Sequence, residues 1–379
     1  MPLYLNDEQS MLADTAKDFV RDNAPVKHLR ELRDTNNADG FSRDLWKSFA
    51  EMGFTGILIG EDQGGLGLGH VEAGVVLEEI GRNLSPSPFL STAVAAVEAL
   101  RGSALAGKFY PGILAGETVA ALAIDEQAKF RDTVGMRAER AGNGFRLSGK
   151  KQFVTHGHVA DLIIVAARTA GSDADDNGVT LFAVDKAAAG LTATPERLAD
   201  SSIAARLDFD NVEVTADAVI GEVDAGRDPL NRLLRAGRTG ASSEMLGVGA
   251  GAMDMTVDYL KQRKQFGVLI GTFQALQHRA AHLYSEMEVA RAATLRAQQM
   301  LDSGAADNLW RADEAVSVAK AQTGLASMLA VQEGLQMHGG IGMTDEYDIG
   351  FYMKRQRVLA EMFGDANFHA DKIARNAGY

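Results

Sequence analysis

The chain contains no cysteine. Disulfides, cysteine nucleophiles and thiolate metal sites are therefore excluded. Proline is sparse, 7 residues in 379, against 40 glycines. That balance fits many turns and tight helix contacts better than disorder. Basic charge is in deficit: 38 Lys and Arg against 51 Asp and Glu leave a net charge of -13. A nucleic-acid binder is disfavoured, because no basic face can dominate that field. No apolar run is long enough to span a bilayer, and Met1–Gln9 does not read as a signal peptide, so a cytoplasmic protein is expected. What is present is ordinary for a globular protein: 46% hydrophobic and 23% charged residues. The length allows a large core and two or three domains.

Residues 1–118 read as helical. Leu5-Asn6-Asp7-Glu8 offers a capped start, and Met11, Leu12, Ala16 and Phe19 follow at helical spacing. Asp44–Met52 is a second amphipathic segment. Gly64-Gly65-Leu66-Gly67-Leu68-Gly69 is too flexible for a helix interior and reads as a loop before a helix over Val71–Ile80. A glycine loop before a helix can cradle phosphate, but this one lacks the Lys and the preceding strand of a P-loop, so a shaped turn is the better reading. Residues 119–225 change period. VAALAI, FRLSG, QFVT, LIIVAART, VTLFAV and RLDFDNVEV are short β-rich runs separated by Gly, Asp and Asn, which suggests a small antiparallel barrel or sandwich. Residues 226–379 return to long Ala/Leu/Met-striped helices, over Gly237–Lys264, Thr272–Asp302 and Asp307–Gln336, the pattern of an antiparallel four-helix bundle. The expected class is mainly α with a central β domain.

Tyr259–His282 concentrates the chemistry. Tyr259–Gln265 reads as a helix end carrying Lys261, Arg263 and Lys264, where cations suit the dipole. Gly267 and Gly271 bracket a bend, and Thr272 is the expected N-cap of the next helix. Cations and the amides of Gln274 and Gln277 beside free helix ends suit a phosphate-bearing ligand. On charge alone, a solvated basic helix end is the simpler reading. The order of residues adds more. Arg263, Phe266, Gly267, Ile270, Phe273, Gln274 and Gln277 form R-x-x-F-G-x-x-I-x-x-F-Q-x-x-Q, which resembles the flavin-binding signature of the acyl-CoA dehydrogenase family. Three further stretches, in the same order as in the family, extend the resemblance over nearly the whole chain. E-x-x-G-G-x-G-x-x-x-x-E around Gly64 resembles its N-terminal helical domain. K-x-F-V-T-x-G-x-x-A-D (Lys151, Phe153, Val154, Thr155, Gly157, Ala160, Asp161) resembles the segment that stacks an aromatic ring on the flavin. Gln336, Gly339, Gly340, Gly342, Glu346 and Tyr347 resemble its Q-x-x-G-G-x-G-x-x-x-E-Y run.

The resemblance implies FAD as cofactor. It implies Phe153, Val154 and Thr155 at the flavin ring, and backbone contacts to the pyrimidine end from Ala123, Ile124 and Asp125. It implies Arg263, Phe266 and Gln274 reaching the FAD of a neighbouring subunit, Gln336, Gly339 and Gly340 near the pyrophosphate, and Asp365 and Asn367 touching the flavin. Phe153 and Val154, taken by chemistry alone, would more often be core. The family loop T-E-P then Gly-Ser-Asp is replaced here by Asp125-Glu126 followed by QAKFRD, which puts any CoA contact of that loop in doubt. The implied reaction is α,β-dehydrogenation of an acyl-CoA thioester, fatty or steroidal, with electrons passed to an electron-transfer flavoprotein. The implied assembly is a homodimer or homotetramer.

This sequence departs from the family at the catalytic base. Many members carry a Glu in an E-G-T turn after the glycine pair, and the matching turn here is Phe363-Gly364-Asp365. A minority place the Glu one residue ahead of an Arg on the helix before the R-x-x-F-G bend, and here that pair is Gly237-Arg238. Arg238 is a candidate substrate-binding residue. Glu244, two turns along the same helical face from Gly237, is a candidate base, because an isolated charge in ASSEMLGVGAG is costly without a task or a partner. The competing reading is an ion pair with a nearby Arg. Asp365 is the second candidate, and Glu361 should face elsewhere. Two hypotheses follow: an active dehydrogenase with a relocated base, or a flavin-binding subunit without a base in a heterotetramer with a catalytic chain. A flavin monooxygenase or nitroalkane oxidase on the same fold is a distant third.

Overall fold

The first helix is set by local chemistry. Asn6 accepts a hydrogen bond from Gln9 N at 2.8 Å, and the Gln9 side chain in turn accepts one from Asn6 N at 3.0 Å. This capping box satisfies two orphan donors and starts α1 (Asp7–Asn23) at the expected place. α2 (Val26–Asp34), α3 (Arg43–Glu51) and α4 (His70–Arg82) follow, then a π-helical turn (Leu90–Ala96), α5 (Val97–Leu100) and α6 (Ala106–Leu114). The strands are β1 (Ala120–Ala123), β2 (Arg137–Ala141), β3 (Gly144–Thr155), β4 (Leu162–Arg168), β5 (Val179–Val184), β6 (Leu191–Arg197), β7 (Ile203–Thr215) and β8 (Val219–Ile220). The C-terminal part holds α7 (Arg227–Gln262), a short hairpin β9 (Lys264–Gln265) and β10 (Val268–Leu269), α8 (Gln274–Asp302), α9 (Leu309–His338), α10 (Ile349–Glu361) and α11 (Ala366–Asn376). The computed structural model describes residues 2–173, 175–304 and 309–379. The expected helix start at Asp307 lies outside the described residues.

The chain divides into two compact units. One comprises residues 32–68 and 86–237 and contains the sheet. Its strand order is β6-β7-β3-β2-β4-β5-β8, with β1 added to β4. Most pairs are antiparallel, but β1 runs parallel to β4, which the antiparallel reading did not anticipate. FRLSG and QFVT prove to be one strand, β3, whose register against β7 shifts between Lys151 and Val154. Alternation buries Phe145, Leu147, Val154, Val165, Phe182 and Leu207 in one core. Arg168, at the end of β4, is also buried, its guanidinium donating to the carbonyls of Val134, Ala170, Asp173, Asp175 and Asn177. The glycine loop is a shaped turn: a β-carbon at Gly65 would lie 2.1 Å from Ile59 O.

The other unit comprises residues 1–31, 69–85 and 238–379. Leu246, Met287, Ala290, Ala326 and Ala330 form the core between α7, α8 and α9, so the Met stripe is packing. The glycine-rich run of α7 has a steric reason. A β-carbon at Gly247 would sit 1.8 Å from Glu78 O, and one at Gly81 would sit 2.0 Å from Glu244 O. Helices α4 and α7 therefore cross backbone to backbone. The bend after α7 differs from expectation. The helix stops at Gln262, and Lys264–Gln265 pairs with Val268–Leu269 around a Phe266-Gly267 turn, both turn residues having positive φ. Thr272 is not the cap of α8. Its hydroxyl donates to Leu269 O at 2.6 Å, and Phe273, in extended conformation, precedes the helix.

Candidate active site

In the sheet unit the register shift of β3 places two residues, Gln152 and Phe153, opposite one on β7. This β-bulge turns Phe153 outward. Its φ is +52°, strained for a residue with a side chain, and its ring is 46% exposed, whereas Val154 returns to the core. Phe153 is therefore not a core residue, and Val154 is. Thr155 is half-buried at the end of the strand. Gln152 N donates to Asp125 O at 2.8 Å, and Lys151 Nζ donates to Ile124 O at 3.1 Å. These bonds tie the loop after β1 to the bulge. They also engage the Ile124 and Asp125 carbonyls internally, which the expectation of backbone contacts from Ala123, Ile124 and Asp125 did not foresee. Ala123 pairs with Val165 of β4.

Two adjacent carboxylates in that loop differ sharply. Glu126 accepts from Lys151 Nζ at 2.7 Å and from Gly135 N and Met136 N. Burial lowers the Lys151 ammonium's pKa below its ordinary value, against the pull of Glu126. The half-buried carboxylate of Asp125 accepts no hydrogen bond among the described residues, and its Oδ1 is covered by protein. Burial pushes its pKa up to about 6, the Lys151 charge opposing and the Glu126 charge adding to the shift.

In the helical unit, the corner residue Phe266 is 90% exposed and meets Phe273 edge-on at 6.3 Å. Arg263 and Gln274 are exposed beside it. Gln277 instead donates to Gly271 O at 2.9 Å. At the end of α9, Gln336, Gly339 and Gly340 are exposed, Gly339 has φ +63°, and a β-carbon at either glycine would meet nothing within 4 Å. His338, directly before them, is buried and stacks on Tyr259 at 4.5 Å.

The Phe363-Gly364-Asp365 turn is held by cationic and neutral donors. Phe363 has φ +59°, and Gly364 has φ +104°. Phe363 O accepts from Arg238 Nε at 3.1 Å and from His369 Nε2 at 3.2 Å. Lys320 Nζ, fully buried, donates to Ala360 O and Gly364 O, both at 3.0 Å. Burial, with the Arg238 charge adding, brings the Lys320 pKa down to about 7 and that of His369 down to about 2, the Lys320 charge also acting on His369. His369 is thus a neutral donor. Arg238 is 3% exposed and lies over the Phe368 ring at 5.7 Å. Its guanidinium holds the Phe363 carbonyl, and substrate binding by Arg238 stays an expectation of the sequence. Asp365 caps α11, accepting from Phe368 N at 2.8 Å, and Asn367, two residues on, is exposed. Glu361 pairs with Arg357 on its own helix at 3.4 Å.

Glu244 is 3% exposed, and its Oε1 accepts from Arg355 Nε at 2.8 Å and Nη2 at 2.5 Å. The carboxylate whose isolation suggested a base has a partner 111 residues further along the chain. Sequence reasoning missed Lys320, Arg355 and His369. Lys320 interrupts an Ala-rich stretch, and that was its only local signal.

In the sheet unit, exposed Phe153 and the Asp125 carboxylate, which accepts no hydrogen bond among the described residues, suit a flat heteroaromatic ring. In the helical unit, the open Gly339-Gly340 turn suits a phosphate, so each unit by itself fits a part of FAD. Helical segments, a sheet and a helix bundle follow one another in this order, the three-part arrangement of the acyl-CoA dehydrogenase fold. Family models match on all three parts: the acyl-CoA dehydrogenase N-terminal domain over residues 6–117, the middle domain over 121–212 and the C-terminal domain over 224–378. The chain belongs to the acyl-CoA dehydrogenase family. It is 30% identical to mitochondrial isovaleryl-CoA dehydrogenase of Solanum tuberosum, over 94% of this chain and 87% of that one. It is 27% identical to the caffeyl-CoA reductase-Etf complex subunit CarC of Acetobacterium woodii, over 94% of both chains. Among solved structures, a variant of the Tcur3481-Tcur3483 steroid ACAD superposes with a TM-score of 0.86 at 30% identity, covering 98% of this chain and 99% of that one.

Proposed function

We propose that this chain is the FAD-carrying member of a heteromeric acyl-CoA dehydrogenase, in which a second chain supplies the catalytic base. The carrying observation is the Phe363 turn. The position that resembles the family's base turn holds a phenylalanine, whose carbonyl is gripped by Arg238 and His369, while Lys320 holds the carbonyls of Ala360 and Gly364 on either side. The nearby carboxylates are committed elsewhere, Glu244 to Arg355 and Asp365 to the start of α11. An oxygen already accepting two guanidinium N–H groups is poorly placed to take a carbon-bound proton.

When bound, FAD would supply the hydride acceptor for α,β-dehydrogenation of an acyl-CoA thioester. Phe153 would pack on the ring, Thr155 would line its edge, and Val154 could contribute only its backbone. Arg263, Phe266 and Gln274 would contact the dinucleotide of a neighbouring protomer, with Gln336, Gly339 and Gly340 at the pyrophosphate, where Gly340 leaves room for close approach. Asn367 would contact the flavin. The pairing of two names in the steroid dehydrogenase at 30% identity supports a two-chain assembly acting on a bulky, ring-bearing acyl-CoA. The relative in a reductase-Etf complex supports an electron-transfer flavoprotein as acceptor.

Anaerobic titration of the purified chain with acyl-CoAs of graded size, steroid side-chain thioesters included, tests this. The expected result is bound FAD that no thioester bleaches until the partner chain is added. Bleaching by the chain alone, abolished in Glu244→Gln, would make it a self-sufficient dehydrogenase. Oxygen uptake without an added acceptor would point to an oxidase on the same fold.

A further inference from the structure

The donorless carboxylate of Asp125 stands out among the polar groups around the β3 bulge. Its neighbour Glu126 takes the ammonium of Lys151 and two backbone N–H groups. Lys151 also donates to Ile124 O, and among the described residues no donor reaches the Asp125 carboxylate. The bond from Gln152 N to Asp125 O holds the backbone that carries this carboxylate beside the residue preceding exposed Phe153. An aromatic platform and a hydrogen-bond acceptor without a donor are thereby presented by the same local structure. A half-buried carboxylate that lacks donors is costly to keep ionised. The ligand that relieves this cost is a flat heteroaromatic ring with an N–H on its polar edge.

We propose that the Asp125 carboxylate accepts the ring N–H of the flavin's pyrimidine edge and, through its charge, lowers the flavin's reduction potential. The inference rests on the FAD reading above and extends it from backbone contacts to a side chain. No bond to Asp125 is made or broken. The carboxylate acts as a fixed charge beside a ring that becomes more negative when it gains electrons, so it opposes that gain. Its pKa near 6 in the absence of ligand places the onset of this effect within reach of experiment.

The test compares FAD affinity, from quenching of flavin fluorescence, and the two-electron potential, from equilibration with reference dyes, in the full chain. Asp125→Asn keeps the shape and an acceptor oxygen but removes the charge. It should bind FAD with a clearly higher potential than the wild type at neutral pH, where the wild-type carboxylate is ionised. Asp125→Ala removes the acceptor as well and should bind FAD about tenfold more weakly. Near-UV circular dichroism checks that both variants are folded, and Asp125→Glu, which keeps the charge, should retain a low potential. An unchanged potential in Asp125→Asn with FAD bound overturns this inference alone. A folded wild type that takes up no FAD overturns it together with the reading it rests on.

Discussion

Replacing Lys320 with methionine should change the pH dependence of folding more than folding itself. The wild-type ammonium is fully buried and brought from 10.5 to about 7, with burial as the main cause and the Arg238 charge as the second. The groups facing it are Arg238 on α7, Glu361 at the end of α10, Asp365, and His369 on α11. A lysine with a depressed folded pKa binds its proton less well folded than unfolded. Below pH 7 both states are protonated, and the folded state bears the whole desolvation cost. Between pH 7 and 10.5 the folded protein has lost the proton while the unfolded chain keeps it, so the unfolded chain binds more protons and stability rises with pH across that window. At about 1.4 kcal/mol per unit, the full span is about 5 kcal/mol. Lys320→Met removes this cost but leaves the carbonyls of Ala360 and Gly364 without their donor, a loss of about 1–3 kcal/mol each. Near pH 6 the two effects roughly cancel. Between pH 6 and 9 the variant should lose about 3 kcal/mol relative to wild type. Urea unfolding at a series of pH values reads this directly. Parallel stability curves for the two proteins would refute the reasoning, because they would mean that Lys320 does not titrate in the folded state.

Other outcomes follow from the same contacts. Glu244→Gln should cost about 1–3 kcal/mol by replacing the charged acceptor of the Arg355 guanidinium with a neutral amide, with flavin content unchanged, as urea unfolding and absorbance will show. Gly247→Ala should cost at least about 3 kcal/mol, because its β-carbon would lie 1.8 Å from the Glu78 carbonyl oxygen and neither backbone can yield cheaply; thermal unfolding measures it. Phe153→Gly separates stability from binding. It relieves a φ of +52°, worth about 1 kcal/mol, yet should weaken FAD binding about tenfold in a fluorescence titration.

Local chemistry makes much of the fold legible. Asn6 and Gln9 announce α1 because both partners of the capping box lie within one turn. Short apolar β-rich runs announce β4 and β5, which prove buried along nearly their whole length. The β3 bulge is not readable, since it depends on register against β7, more than fifty residues away in sequence. Motif order names Phe153, but only the pairing shows why it faces outward. The hairpin at Lys264–Leu269 reads as a helix end because its cations suit a C-terminus equally well, and only the bond from Ile270 N to Arg263 O reveals the turn. Glu244 looks solitary because Arg355 lies on another helix. Lys320 looks like one more polar residue of α9, because the carbonyls it holds come from the distant Ala360–Gly364 segment.

Proton abstraction can be watched without any electron acceptor. The FAD-loaded chain is incubated in D2O with acyl-CoA thioesters, steroid side-chain thioesters among them, and the α-carbon is analysed by mass spectrometry. No deuterium should enter with this chain alone, and it should enter once the partner chain is present. Deuterium incorporated by the chain alone, and lost in Glu244→Gln, would contradict the account.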